Sequence, residues 1–154
     1  MRWTRRRVLQ AAMAAGGVAL LRWTYAIAQS SGTGLLRATK QALVMGNSRY
    51  QHAPLKNPVN DANGMAEALK SAGFGVTLAL DLGQSAMQDA IRSYTDSLAR
   101  TKSVGLFYFA GHGAQLAWRN YLIPVDTEIG DIQELRDRGV DVNSLIEGIR
   151  KAGN

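Results

Sequence analysis

The 154 residues are 46% hydrophobic and 19% charged, a balance that suits one folded core and excludes an extended, highly charged chain. The chain is too short for two full-sized domains. It has no cysteine, so disulfide scaffolds, cysteine-ligated zinc and iron-sulfur sites, and a thiol nucleophile carried by these residues are all excluded. The net charge of +6 is unevenly placed: Arg2, Arg5, Arg6, Arg7 and Arg22 account for five of the 18 basic residues, and the remainder carries 13 against 12 acids. A nearly neutral body with no basic stripe interleaved with aromatics argues against nucleic acid as a partner.

Residues 1–28 read as a targeting peptide. A charged start precedes an apolar stretch from Val8 to Leu21, and Ala26-Ile27-Ala28 fits a small-residue cleavage site. The apolar stretch is shorter than the roughly 20 residues that span a bilayer and is interrupted by Gly16 and Gly17, so no stable membrane anchor is expected after cleavage. Thr4-Arg5-Arg6-Arg7-Val8-Leu9 resembles the twin-arginine export signal, which carries folded cargo and implies a periplasmic or secreted protein. Residues 29–39 form a polar linker, and 40–154 form the remaining domain.

From Gln41 the pattern alternates strand and helix, the signature of a parallel sheet flanked by helices. Ala42–Gly46 reads as a buried first strand. Asn57-Pro58 opens a helix whose Ala62, Met65, Ala66 and Leu69 share one face and which Gly73 ends. Gly75–Leu80 reads as a second strand. Ser85 to Gln88 has capping-box spacing ahead of a second helix with Met87, Ala90, Ile91, Tyr94 and Leu98 on its apolar face. Val104–Ala110, nearly all apolar or aromatic, is expected to be a central strand covered on both faces. Tyr121–Pro124 is a brief extended piece and 127–140 a charged connection. Val142, Leu145, Ile146 and Ile149 mark a third helix.

In a parallel sheet, reactive groups gather beyond the carboxyl ends of the strands. Directly after the third strand stands Gly111-His112-Gly113. Histidine transfers protons near neutral pH, and a neighbouring glycine leaves a backbone N–H free to meet an oxyanion. Gly46-Asn47-Ser48 is no phosphate loop, which sets a nucleotide-binding reading aside. His52 reads as a surface residue, and a metal site joining it to His112 lacks further ligands.

Four motifs in order carry a resemblance: Ala42–Gly46 with Asn47-Ser48, then Asn57-Pro58-Val59-Asn60-Asp61-Ala62, Phe107–Gly113, and Asn120–Asp126. Together they resemble the caspase family, more narrowly its bacterial, metacaspase-like branch. The resemblance runs from about Lys40 to the last residue. It implies an α/β, caspase-like three-layer sandwich with a mostly parallel sheet. It also implies cysteine endopeptidase chemistry on a peptide or protein substrate: His112 matches the catalytic histidine of a His-Cys dyad and Gly113 the oxyanion donor. Asp61 matches an acidic residue of the pocket that takes Arg or Lys; equally, a carboxylate there suits the first turn of a helix. Ala110 departs from the metacaspase pattern, where a serine is common. Asp126 and Asp131 lie where some metacaspases hold calcium; no other cofactor is implied.

The family's next strand, ending in an Asp-x-Cys-like segment, falls beyond Lys151-Ala152-Gly153. The expectation is therefore a fragment of an exported caspase-like endopeptidase whose sheet is incomplete at its carboxyl-terminal side. It retains the histidine, lacks the nucleophile and is inactive alone. An unpaired third-strand edge would favour association. The alternative expectation is a non-catalytic, caspase-like interaction module.

Overall fold

The computed structural model describes residues 38–151. The targeting peptide and most of the linker lie outside these residues. Among them no helix is long and apolar enough to cross a membrane. Three parallel strands, β1 (Lys40–Gly46), β2 (Gly75–Leu80) and β3 (Val104–Ala110), form a sheet in the order β2-β1-β3. Two helices, α1 (Pro58–Ser71) and α2 (Gln84–Thr101), connect them.

The alternation of side chains along β1 produces the layers. Ala42 and Val44 pack against Ala62, Ala66 and Leu69 of α1. Leu43 and Met45, one residue out of phase, pack against Met87, Ile91, Tyr94 and Leu98 of α2. All four β1 side chains are almost fully buried. The three-layer α/β arrangement of the caspase-like fold is thus present, with a partial sheet.

The central position belongs to β1, not to the aromatic third strand. Among the described residues β3 pairs on one side only, and its side chains are half-buried. Its apolar run reflects two covered faces, since Phe107 and Phe109 meet the α2 layer while Leu106 and Tyr108 meet the α1 layer. Coverage of both faces does not require a neighbour on both edges.

A second, antiparallel sheet was not anticipated. Strands β4 (Gly113–Leu116) and β5 (Arg119–Leu122) form a hairpin, and β5 pairs with the two-residue β6 (Val140–Asp141). The charged connection contains a seven-residue helix, α3 (Ile132–Arg138), and β6 leads directly into α4 (Val142–Lys151), which packs on α2.

The helix ends also differ in detail from their sequence signatures. Asn57 occupies the cap position of α1 but makes no side-chain capping bond; Ser48 Oγ instead accepts the Val59 N–H at 3.3 Å. Helix α2 begins one residue before the capping-box serine, with Gly83 at its cap and the Gln84 N–H donated to Asp126 Oδ1 at 3.0 Å. Gly73, at φ +84°, does end the α1 segment.

Candidate active site

The strand order reverses direction at β1, so the loops after β1 and β3 flank a switch point, where a crevice opens at the carboxyl edge. Asn47 directly follows β1 and is fully buried. Its Nδ2 donates to the carbonyls of Leu82 and Ile123 at 3.2 and 3.3 Å, its Oδ1 accepts the Leu82 N–H at 3.0 Å, and its backbone N–H donates to Ala110 at 2.8 Å. One amide side chain therefore joins the ends of three segments, with its own polar atoms satisfied.

The loop from Ser48 to Leu55 is held from β2. Asp81 accepts the backbone N–H groups of Ser48 and Arg49 at 2.7 and 2.9 Å and the Arg49 guanidinium at 2.8 Å. Burial alone would raise the Asp81 carboxyl, but these donors outweigh it and hold its pKa below the ordinary carboxylate range. Asp81 itself sits at φ +52°, a conformation that costs a non-glycine residue of the order of 1 kcal/mol.

His112 follows Gly111 at the end of β3 and is half-buried. Its Nε2 lies 2.8 Å from the Ala53 carbonyl oxygen. A carbonyl only accepts, so Nε2 carries the proton and the neutral ring keeps its lone pair on Nδ1. The Tyr50 ring packs against the imidazole with centroids 4.5 Å apart. Burial raises the Tyr50 pKa above the ordinary phenol value, so the hydroxyl stays protonated through the neutral range. A Cβ at Gly111 would lie 2.6 Å from both Tyr50 Oη and Phe109 Cζ, which explains a glycine immediately before the histidine.

Gly113 opens β4 opposite Leu122. The Ile123 N–H bonds to the His112 carbonyl at 3.0 Å, making 112 and 123 a hydrogen-bonded pair; 113 and 122 are then a non-bonded pair. The Gly113 N–H consequently points away from β5, toward the edge of the small sheet that is unpaired among the described residues.

A cleft of about 340 Å³ is lined by Tyr50, His52, Ala53, His112, Ile123 and Glu128, among others. His52 is exposed, as its sequence context suggests, and its Nδ1 stands 3.6 Å from Glu128 Oε1. Asp61 lies in the first turn of α1, exposed and without a side-chain partner among the described residues, and it does not line this cleft. Of the three expected site residues, His112 lines this cleft, while Gly113, its chain neighbour, and Asp61 are not among the lining residues.

The calcium expectation does not fit the residues present. Asp126 Oδ1 caps α2, and Asp131 Oδ1 accepts the Glu134 N–H at 2.8 Å and caps α3, so the two carboxylates serve different helices. Among the described residues no three His, Cys, Asp or Glu side chains group as a metal site.

Sequence reasoning placed Asn47 in a motif without giving it a role, and missed Tyr50, the Ala53 carbonyl and Asp81. A family model described as Caspase domain matches residues 39–148. The mucosa-associated lymphoid tissue lymphoma translocation protein 1 of Homo sapiens is 36% identical over 93 residues, covering 59% of this chain and 11% of that protein. Its Mus musculus homolog matches with the same identity and the same coverage, so the chain spans about a tenth of the length of these curated relatives. The matched span encloses β1 to β6, the helices between them and the histidine cleft: this chain belongs to the caspase domain family.

Proposed function

We propose that His112 is the proton-transfer half of a cysteine endopeptidase dyad and that the Gly113 N–H is an oxyanion donor. The observation that carries this reading is the bond from His112 Nε2–H to the Ala53 carbonyl, which leaves Nδ1 as a base on a ring that lines a cleft. A neutral imidazole with one nitrogen anchored and the other unprotonated is the form that accepts a proton from a thiol. The resulting thiolate attacks the peptide carbonyl, negative charge collects on the carbonyl oxygen beside the Gly113 N–H, and the imidazolium returns its proton to the leaving amine. The 154 residues hold no cysteine, so in this reading the sulfur comes from outside them.

Cleavage after Arg or Lys, with Asp61 receiving the cation, is the specificity this reading favours; the exposed, unpartnered Asp61 carboxylate supports it, although Asp61 is not among the residues lining the cleft. Placement in the metacaspase-like branch rests on the motif resemblance. Export to the periplasm rests on Thr4–Leu9 and the cleavage site after Ala28, with 29–39 as linker and 40–154 as the working domain.

Residues 29–154 alone should not hydrolyse Arg- or Lys-terminated fluorogenic peptides. A longer product of the same coding region that includes an Asp-x-Cys-like segment should do so, and His112→Ala should abolish it. Hydrolysis by residues 29–154 that is lost in His112→Ala would refute the assignment of a sulfur nucleophile. The second reading, a non-catalytic interaction module, is favoured by one observation: the outer edge of β3 is unpaired among the described residues and could accept a partner's strand. A longer product that binds a partner but remains inactive with its cysteine present would support that reading.

A further inference from the structure

The β4–β5 register continues one step past Gly113 and Leu122 to His112 and Ile123. In an antiparallel ladder a pair of this kind exchanges two backbone bonds. One is made directly, from the Ile123 N–H to the His112 carbonyl at 3.0 Å. The other is interrupted: the His112 N–H donates to Tyr50 Oη at 2.9 Å, and that hydroxyl donates onward to the Ile123 carbonyl at 3.1 Å. A phenol oxygen thus occupies the place of a ladder bond at the residue that carries the imidazole.

We propose that Tyr50 is a positioning residue for His112, its inserted hydroxyl fixing the histidine backbone and its ring fixing the plane of the imidazole. The inference rests on the reading of His112 as the proton carrier. Only a side chain that both accepts and donates can bridge an N–H to a carbonyl, which phenylalanine cannot do. Without the bridge the two strands either close on each other and turn the histidine, or leave its N–H unsatisfied. Three further contacts converge on the same arrangement. Ala53, on the Tyr50 loop, accepts from the imidazole; Asn47 Nδ2 donates to the same Ile123 carbonyl at 3.3 Å; and Gly111 makes room for Oη. The Tyr50 loop is in turn clamped by Asp81, so the orientation of the imidazole is set from the first strand's loop as well as from β3.

The test uses the 154-residue chain labelled with nitrogen-15 at histidine and on the backbone, and needs no peptidase activity. In the unaltered protein the two ring nitrogens of His112 should resonate far apart, as a single Nε2–H tautomer requires. Tyr50→Phe should draw them together toward a tautomer average and speed exchange of the His112 amide by about tenfold. Tyr94→Phe removes a different buried hydroxyl, one that donates to the Leu106 carbonyl at 2.9 Å, and should move neither signal. Native ring signals and native amide protection in a folded Tyr50→Phe protein would overturn the proposal. If that variant does not fold, the unaltered protein decides: a slowly exchanging Tyr50 hydroxyl proton with a nuclear Overhauser contact to the His112 amide is expected, and its absence overturns the proposal. A native Nδ1–H tautomer would instead overturn the reading of His112, while the amide exchange still reports on Tyr50.

Discussion

Asp126 and Gln84 lie 42 residues apart in sequence, yet the carboxylate of one accepts the backbone N–H of the other at 3.0 Å and closes the amino end of α2. The contact ties the segment after β5 to the helix that covers one face of the main sheet. Gly83 permits it, because a Cβ there would collide with the Asp126 carboxylate.

Asp126→Ala should therefore lower stability by about 1 kcal/mol, the usual cost of a lost helix cap, and Asp126→Asn should retain most of it. Gly83→Ala should be at least as damaging, since it displaces the cap. Urea midpoints of the three variants check the order. Calcium should not shift the midpoint of the unaltered protein, because the Oδ1 atoms of Asp126 and Asp131 are already engaged by helix N–H groups.

Asp81 makes the fold acid-sensitive. Its folded pKa is lowered, so its contribution is complete above the unfolded carboxylate value and is lost as pH falls through the folded one. Asp81→Asn should destabilise the protein at neutral pH, and its stability curve should meet that of the unaltered protein at strongly acidic pH. Arg49→Ala should cost less than about 1 kcal/mol, because the guanidinium side chain is 81% exposed.

Tyr94 governs the alkaline side. Burial pushes its pKa up to about 12, while an unfolded tyrosine ionises near 10.0. Stability contributed by the neutral phenol is full below pH 10.0 and falls between that value and about 12. A pH series of thermal melts should show this loss, with a shallower slope in Tyr94→Phe.

The β4–β5 turn is built from poor turn residues. Ala117 and Trp118 adopt φ +47° and +65°, the signs of a type I′ turn, which favours Asn-Gly. Ala117→Asn combined with Trp118→Gly should raise stability by about 1 to 2 kcal/mol, since Trp118 is 94% exposed and little burial is forfeited. Calorimetry on the double variant checks the sign.

The same turn shows why part of the fold could not be read in advance. The strands Gly75–Leu80 and Val104–Ala110 appear with the bounds expected, because hydrophobic run and flanking glycine agree there. The hairpin has no such marker, since Ala-Trp does not announce a reversal of the chain. Helix α3 did carry one: Asp131 followed by Glu134 has capping-box spacing, and the structure makes that bond, but seven residues with only Leu135 buried give no apolar stripe. Gly-His-Gly exposed His112 through its chemistry. Asn47 stood in a motif without a role, and Tyr50 and the Ala53 carbonyl were silent, because all three act through hydrogen bonds between distant segments, which no local pattern encodes.

The central place of β1 also has a kinetic side. Lys40 pairs with Val104, roughly sixty residues later, so at a ribosome adding about 5–20 residues each second the most deeply buried strand waits several seconds for its second neighbour. During that interval α1 covers Val44 on one face, Leu43 and Met45 wait for α2 on the other, and β2 is the strand's one paired neighbour. Nascent-chain aggregation should peak before residue 110 emerges and subside once the third strand has docked.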